Sequence, residues 1–389
     1  MKTKFLLALA ISTVAYSQSS FAGSITDTYT TGDTLTADKL NNIKSEVNDN
    51  DTRIAANIAT FDTVFSGDGS AGNLTLAGGE TVNWISNPPE NPYFGNIILN
   101  AGSTLIVPSG TTIYCNGSFV NAGTLRVQPA TAIGSSIRSI AYTGDSPTNA
   151  FPAYAHPGDT PAPASMGETN DISIQPGAIN LMGGSGGLAI QKAVATTAFG
   201  KFKFGGGSGA GFNKGTGVGG RAGGLVKIYA LVNILNNNGG TIVARGEDGD
   251  DAGGDALGGI GGGGGGIVVL AARFGGVQNV GGEIDVSGGN GSSSTTYAGN
   301  GGGGGGGIII MASPVAPVLG TETVAGGSGG TGAAALTTNT QIAGGGGGGS
   351  GGKGGTGGYI QSNLTPLSAG NGDPGYVISL TLDPIALAR

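Results

Sequence analysis

Apolar positions along the chain follow three successive periods. Between residues 33 and 61, Leu40, Ile43, Val47, Ile54 and Phe61 are spaced 3, 4, 7 and 7 apart, the a and d seam of a heptad pattern. Thr36 stands where a helix cap belongs, and Asn50 and Asn57 take d positions. This spacing predicts one amphipathic helix with no second helix in the chain to pack on. Its apolar face either lies on the body of its own subunit or pairs with other copies. Polar residues in a seam fix register and oligomer state, so self-association as a short parallel coiled coil, a trimer, is the expectation.

From residue 62 the period shortens. Leu74–Leu76, Asn96–Leu99, Thr104–Val107, Thr112–Cys115 and Thr124–Val127 are brief β-type runs bounded by Gly, Asn or Pro. The turn glycines Gly102, Gly110, Gly117 and Gly123 follow one another every six to eight residues. Strands this short suit stacked solenoid rungs better than a sandwich. Residues 141–172 carry Pro147, Pro152, Pro157, Pro161 and Pro163, which deny the backbone its ladder donors and predict a surface excursion.

Residues 173–372 contain glycine runs followed by β-branched runs in fixed phase. Leu225–Ile228, Ile267–Leu270 and Ile308–Met311 begin 42 and 41 residues apart, and Ile242 and Ile284 repeat at 42. A weaker copy, Thr321–Gly329, arrives a few residues early. Two features locked to one period predict a repeat architecture. A flexible linker would let spacing drift, so the runs are read as extended, threefold strands packed side by side. Such a strand rises ~3.1 Å per residue without internal hydrogen bonds, giving Gly301–Gly307 a span of ~22 Å. Its amides must bond to neighbours, and the absence of Cβ lets those neighbours come close enough.

Composition then narrows the function classes. The chain has 389 residues, of which 83 are Gly, with one Cys, one His and one Trp. Glycine is not at every third position, so collagen is excluded. Zinc centres and His-dependent triads lack ligands and partners, and no enzymatic centre or obligatory cofactor is expected. Lys2, Lys4, the apolar Phe5–Ala15 and the small residues around Ala22 form a secretory signal, cleaved after Ala22. Its removal leaves 15 basic and 24 acidic residues, a net charge of −9. Nucleic acid is therefore an improbable partner, and no later apolar run reaches the ~18 residues of a membrane span. The expected product is secreted or held at the cell surface. Cys115 lies in a strand pattern and is expected to be buried.

The expected organisation is a signal (1–22), an N-terminal strand and oligomerisation helix (23–61) and a short-strand solenoid-like region (62–140). A Pro- and aromatic-rich excursion (141–172), a glycine-rich repeat body (173–372) and a C-terminal strand and tail (373–389) follow. The fold class is all-β, a glycine-rich β-solenoid or polyglycine-II-type body behind a short helix.

Phe65–Thr75, Tyr93–Gly102 and the glycine runs ending in Ile-Val-Val or Ile-Ile-Ile resemble glycine-rich fibrous proteins of phages and bacteria. The runs separately resemble phage tail-fibre-tip adhesins, in which stacked polyglycine helices hold recognition loops. The signal peptide departs from that pattern and favours a bacterial surface protein. The resemblance implies adhesion or surface structure and carries over no binding residue; the expectation for the chain as a whole is a surface adhesin or fibre component that binds polysaccharide or another cell-surface molecule through loops. A filament that binds only itself is the alternative.

Ligand-stacking candidates are the loop aromatics Trp84, Tyr93, Phe94, Tyr142, Phe151, Tyr154 and Tyr297. For Trp84, a ring folded over an apolar edge is the competing reading. Glu247, Asp248, Asp250, Asp251 and Asp255 form the densest acidic cluster, a candidate calcium loop. The same residues read more simply as a solvated loop, or as glycosidase carboxylates on a solenoid, the least favoured option. His156 in the Pro-rich stretch has no second ligand beside it. Ice binding is set aside because the sequence shows no regular Thr array.

Overall fold

The computed structural model describes residues 37–129, 169–170, 186–197, 201–202, 205–207, 209, 219–249, 259–293, 299–331, 341–342, 344–358 and 368–386. The chain divides into two units, Met1–Val64 and Phe65–Arg389.

The first unit's described residues form most of α1 (Ala37–Ser66). Val47, Ile54, Phe61 and Val64, all on the heptad seam, are exposed, and Asn50 and Asn57 are half-buried. The helix runs past the expected end at Phe61 to Ser66; Phe65, the first residue of the second unit, is buried there, 5.2 Å from the ring of Tyr229. Gly67, at φ 78°, then stops it, since the left-handed region that ends a helix is cheap only for glycine.

The second unit is mostly β, with parallel sheets and few helices, an arrangement compatible with a β-solenoid-like all-β fold. Its strands visit three sheets in rotation. The first circuit is β1 (Leu74–Leu76), β2 (Thr81–Asn83) and β3 (Tyr93–Phe94); the second is β4 (Ile97–Leu99), β5 (Thr104–Val107) and β6 (Thr111–Cys115). The third is β7 (Phe119–Asn121), β8 (Thr124–Val127) and β10 (Leu225–Ala230), with β9 (Thr169–Asn170) and α2 (Lys192–Thr197) between the last two in sequence. Then come β11 (Ile234–Asn236), β12 (Thr241–Val243) and β13 (Ile267–Ala272), followed by β14 (Val277–Gln278), β15 (Glu283–Asp285) and β16 (Ile308–Ser313). The last circuit has β17 (Thr321–Thr323) and β19 (Tyr376–Thr381), while β18 (Gln341–Ile342) pairs antiparallel with β9.

The resulting orders are β1-β4-β7-β11-β14, β2-β5-β8-β12-β15-β17 and β3-β6-β10-β13-β16-β19. The short strands and the strands that follow the glycine tracts thus share the same sheets: Val226 pairs with Thr111, so β1–β8 and the later strands β10–β17 and β19 are successive parts of the same three sheets. The sequence period is the strand register, with Leu225 beside Ile267 and Ile267 beside Ile308. The early copy also stands in register, Ile284 beside Glu322. Its last circuit is shortened in the first sheet, where a single bridge, Gln278 to Val318, replaces a strand. The final strand pairs within the chain, Ile308 beside Tyr376.

Two apolar layers flank the third sheet. Inside the circuits, Leu105, Leu125, Ile242 and Ile284 stack with Ile113, Ile228, Leu270 and Ile309. Outside, Leu225, Ile267, Val269, Ile308 and Ile310 are covered by Phe65, Ile190, Ala195 and Phe202. Burial on both faces is why β13 and β16 are continuous apolar runs without alternation.

Between the second and third sheets, each later circuit sends out an excursion built of glycine. Every amide of Gly301–Gly307 is bonded, at 2.8–3.0 Å, with a period of three. Gly301, Gly304 and Gly307 donate to Ser292, Gly289 and Val286; Gly302 and Gly305 to Gly345 and Gly348; Gly303 and Gly306 to Gly370 and Asp373. Every carbonyl also accepts: from Gly330 and Gly327, from Gly262 and Gly265, from Gly355 and Gly352, and at Gly307 from Tyr376. One tract therefore has six neighbouring tracts, three receiving its protons and three supplying theirs. A Cβ on Gly304 would drive into the carbonyl oxygen of Gly263, so this spacing exists only without side chains.

Cys115 is fully buried, as expected, and burial pushes its thiol up to about 12. The unfolded chain ionises this thiol from about pH 9 while the folded one holds its proton. The thiol's contribution to stability is accordingly expected to be flat below pH 9 and to fall between pH 9 and 12, and thiol reagents at pH 8 should label Cys115 only in denaturant. Gly304→Ala is expected to cost ~3 kcal/mol by overpacking. Gly79→Ala, at φ 81° with nothing within 4 Å, should cost only ~1–2 kcal/mol of backbone strain. Denaturant unfolding of both variants checks the contrast.

Candidate recognition end of the glycine bundle

The glycine tracts have a sheet end and a far end. At the sheet end, Gly223 donates to Gly264, Gly266 to Ala244, Ile308 to Gly266 and Tyr376 to Gly307, and the tracts run straight into β10, β13, β16 and β19. At the far end, Gly209 donates to Gly220, Gly220 to Gly261, Gly249 to Asn290, Gly259 to Gly299, Gly291 to Ser328 and Gly358 to Asn300, at 2.7–2.9 Å. These bonds gather the feet of five connecting segments, 210–218, 250–258, 294–298, 332–340 and 359–367, at one end of the bundle.

Glycine gives way to polar residues there, and each polar side chain replaces a carbonyl as acceptor for a neighbouring tract. Asp248 Oδ1 accepts from the Asn290 amide at 2.7 Å, and Asn290 Oδ1 from the Ser328 amide at 2.9 Å. Asn371 Oδ1 accepts from Gly329, Ser292 Oγ from Ile260 and Ser293 Oγ from Thr331, at 2.8–3.0 Å. The feet of the segments are held by oriented side chains on a base whose backbone is already satisfied.

The acidic cluster begins in this region. Glu247 lies 3.4 Å from Arg221, and Asp248 3.0 Å from Arg245. All four side chains are exposed, so the pairs are worth ~0–1 kcal/mol each. Both described carboxylates already have cationic partners, and no group of three or more His, Cys, Asp or Glu gathers among the described residues. Asp250, Asp251 and Asp255 lie outside the described residues.

The aromatic candidates separate. Trp84 and Phe94 are not presented for stacking: both are buried in the first circuit, their rings 5.7 Å apart and 9° from parallel. The Trp84 amide donates to the Ile106 carbonyl, which fixes its backbone against the second circuit. Tyr93 is exposed but belongs to the outer face of the third sheet, where it leans on Tyr114 at 5.3 Å, and Tyr114 on Tyr229 at 5.9 Å. Tyr142, Phe151, Tyr154, Tyr297 and His156 lie outside the described residues.

Two arrangements escaped the sequence reading. Asn121, Asn236 and Asn279, all fully buried, form a column between the first and second sheets: Asn121 Nδ2 donates to Asn236 Oδ1 and Asn236 Nδ2 to Asn279 Oδ1, each at 2.7 Å. The 43-residue step from Asn236 to Asn279, in phase with the strand repeat, was its available signal. The second is a threonine column. Thr81, Thr104, Thr124, Thr241 and Thr321 align on the outer face of the second sheet, interrupted by Glu283. The column beside it, Asn83, Ile106, Arg126, Val243, Asp285 and Thr323, is mixed and shows no such regularity.

No protein family, curated protein or solved structure matches the chain.

Asn290→Ala removes the acceptor for Ser328 and is expected to cost ~1–2 kcal/mol, read as a lower denaturant midpoint. Asn290→Asp, which keeps that acceptor, should recover most of it.

Proposed function

We propose that the chain is an exported surface adhesin or fibre component. In this reading a polyglycine-II-type bundle, rooted in a β-solenoid, holds recognition segments that bind polysaccharide or another cell-surface ligand. The observation that carries it is the gathering of five segment feet at one end of a bundle built mostly of glycine. Rigid scaffolds bearing loops are a common basis of recognition, because the scaffold meets the cost of ordering before the ligand arrives. Signal cleavage after Ala22 would deliver the chain outside the cell, and neither an enzymatic centre nor a cofactor is invoked.

Self-association enters through α1. Its exposed Val47, Ile54, Phe61 and Val64 stripe, with half-buried Asn50 and Asn57, supports a parallel coiled coil, a trimer, that would multiply weak single-site binding. A matrix filament built only of this chain is the second reading, which the same exposed stripe of α1 would also serve.

Residues 23–389 are expected to sediment as a trimer, and Val47→Asp with Ile54→Asp to reduce it to a monomer with the second unit still folded. Replacing 250–258 and 294–298 by Gly-Ser segments of equal length should lower binding to whole cells or immobilised polysaccharide at least tenfold without moving the unfolding midpoint. Binding unchanged by both replacements would overturn the assignment to this end.

A further inference from the structure

Within the circuits, one column of the second sheet reads Val82, Leu105, Leu125, Ile242, Ile284 and then Glu322. Every member but the last is apolar, and the four from Leu105 to Ile284 are fully buried. A carboxylate takes over at the last circuit, where no described strand pairs beyond β17 or β19. Its side chain turns inward: Glu322 Oε1 accepts from Asn279 Nδ2 at 2.9 Å and from the Gly320 amide at 2.7 Å. Asn279, itself fully buried, is the final member of the asparagine column, so the same carboxylate receives the one column donor that a further asparagine would have satisfied.

We infer that Glu322 closes this end of the sheet stack against a second copy of the chain. An open parallel edge is a template for strand addition, and an inward-pointing charge on an edge strand is one of the devices that blocks it. As the stack ends, Glu322 is half-buried and keeps contact with water. A second copy seated on β17 would remove that water and leave a carboxylate between two apolar circuits, with Asn279 and Gly320 as its named donors and no cation supplied by the column. An Ile in its place would continue the column and offer an apolar end. The flanking Thr321 and Thr323 point outward and would leave the interior unchanged. The inference is independent of the adhesin reading: it concerns how the stack ends, and not what the far end of the bundle binds.

The test uses residues 23–389. Glu322→Ile is expected at least to double the sedimenting mass relative to the unsubstituted protein at equal concentration, with elongated particles in negative stain. Thr323→Ile, equally apolar but outward, should keep the unsubstituted mass. Glu322→Ile folded by circular dichroism yet unchanged in mass from 1 to 100 µM overturns the inference, as does equal association by Thr323→Ile. If Glu322→Ile does not fold, hydrogen exchange on the unsubstituted protein decides: amides of β17 should exchange equally at both concentrations, and protection that grows with concentration would show the end to be open.

Discussion

Exchange of amide protons between neighbouring extended strands is the constraint on which the second unit is built. A threefold extended strand bonds nothing within itself, so each of its donors must find a carbonyl elsewhere. Gly301–Gly307 meets this demand completely, with six tracts around it. Glycine is required because any Cβ would occupy the place of a neighbour's carbonyl. Glycine also loses the most conformational freedom on ordering, so a pair of tracts alone would not hold. The bundle is stable only when many tracts are brought together at once, and something other than glycine must bring them.

The parallel sheets do this. Each excursion leaves from the second sheet and returns to the third, so strand register sets the phase of the tracts. Leu225, Ile267 and Ile308 stand side by side, and the glycines preceding them therefore arrive level with one another. The apolar layers on both faces of the third sheet provide the burial that glycine lacks, and they lock the register that glycine cannot specify. Sheet and bundle depend on each other in this sense: one provides alignment, and the other covers a length of backbone that would otherwise be an exposed loop.

Much of this was legible in the sequence because periodicity survives low complexity. The helix, the longer strands and the 42-residue repeat could be read from apolar spacing, and the lateral bonding of the glycine runs from the demand for amide partners. What could not be read has physical reasons. The strands β2, β3 and β7 are two or three residues long and include Thr, Asn and Tyr, so only their neighbours define them. Trp84 and Phe94 look like display residues beside a Pro-rich stretch, and only their stacking on each other within the core makes them interior residues. Asn121, Asn236 and Asn279 read as turn residues in sequence. Burial becomes acceptable once each amide group finds the next, a match made between circuits and not along the chain. The candidate site was least legible of all, because gathering five segments at one end depends on which ends of which tracts lie together.

The two ends of this architecture are under opposite demands. At the far end of the bundle, Asp248, Asn290, Ser292, Ser293 and Asn371 take over as acceptors where glycine ends. At the last circuit of the sheets, backbone edges and apolar columns are inherently unfinished, and the fold must stop without inviting more of itself. Asparagine suits the interior of such a stack because it both donates and accepts, passing one hydrogen bond from circuit to circuit. A carboxylate suits the final position because it only accepts: the series Asn121, Asn236, Asn279, Glu322 runs in one direction and terminates. The direction of a hydrogen-bonded column thus marks which end of the molecule is the last, and it does so with a residue that an apolar neighbour cannot comfortably cover.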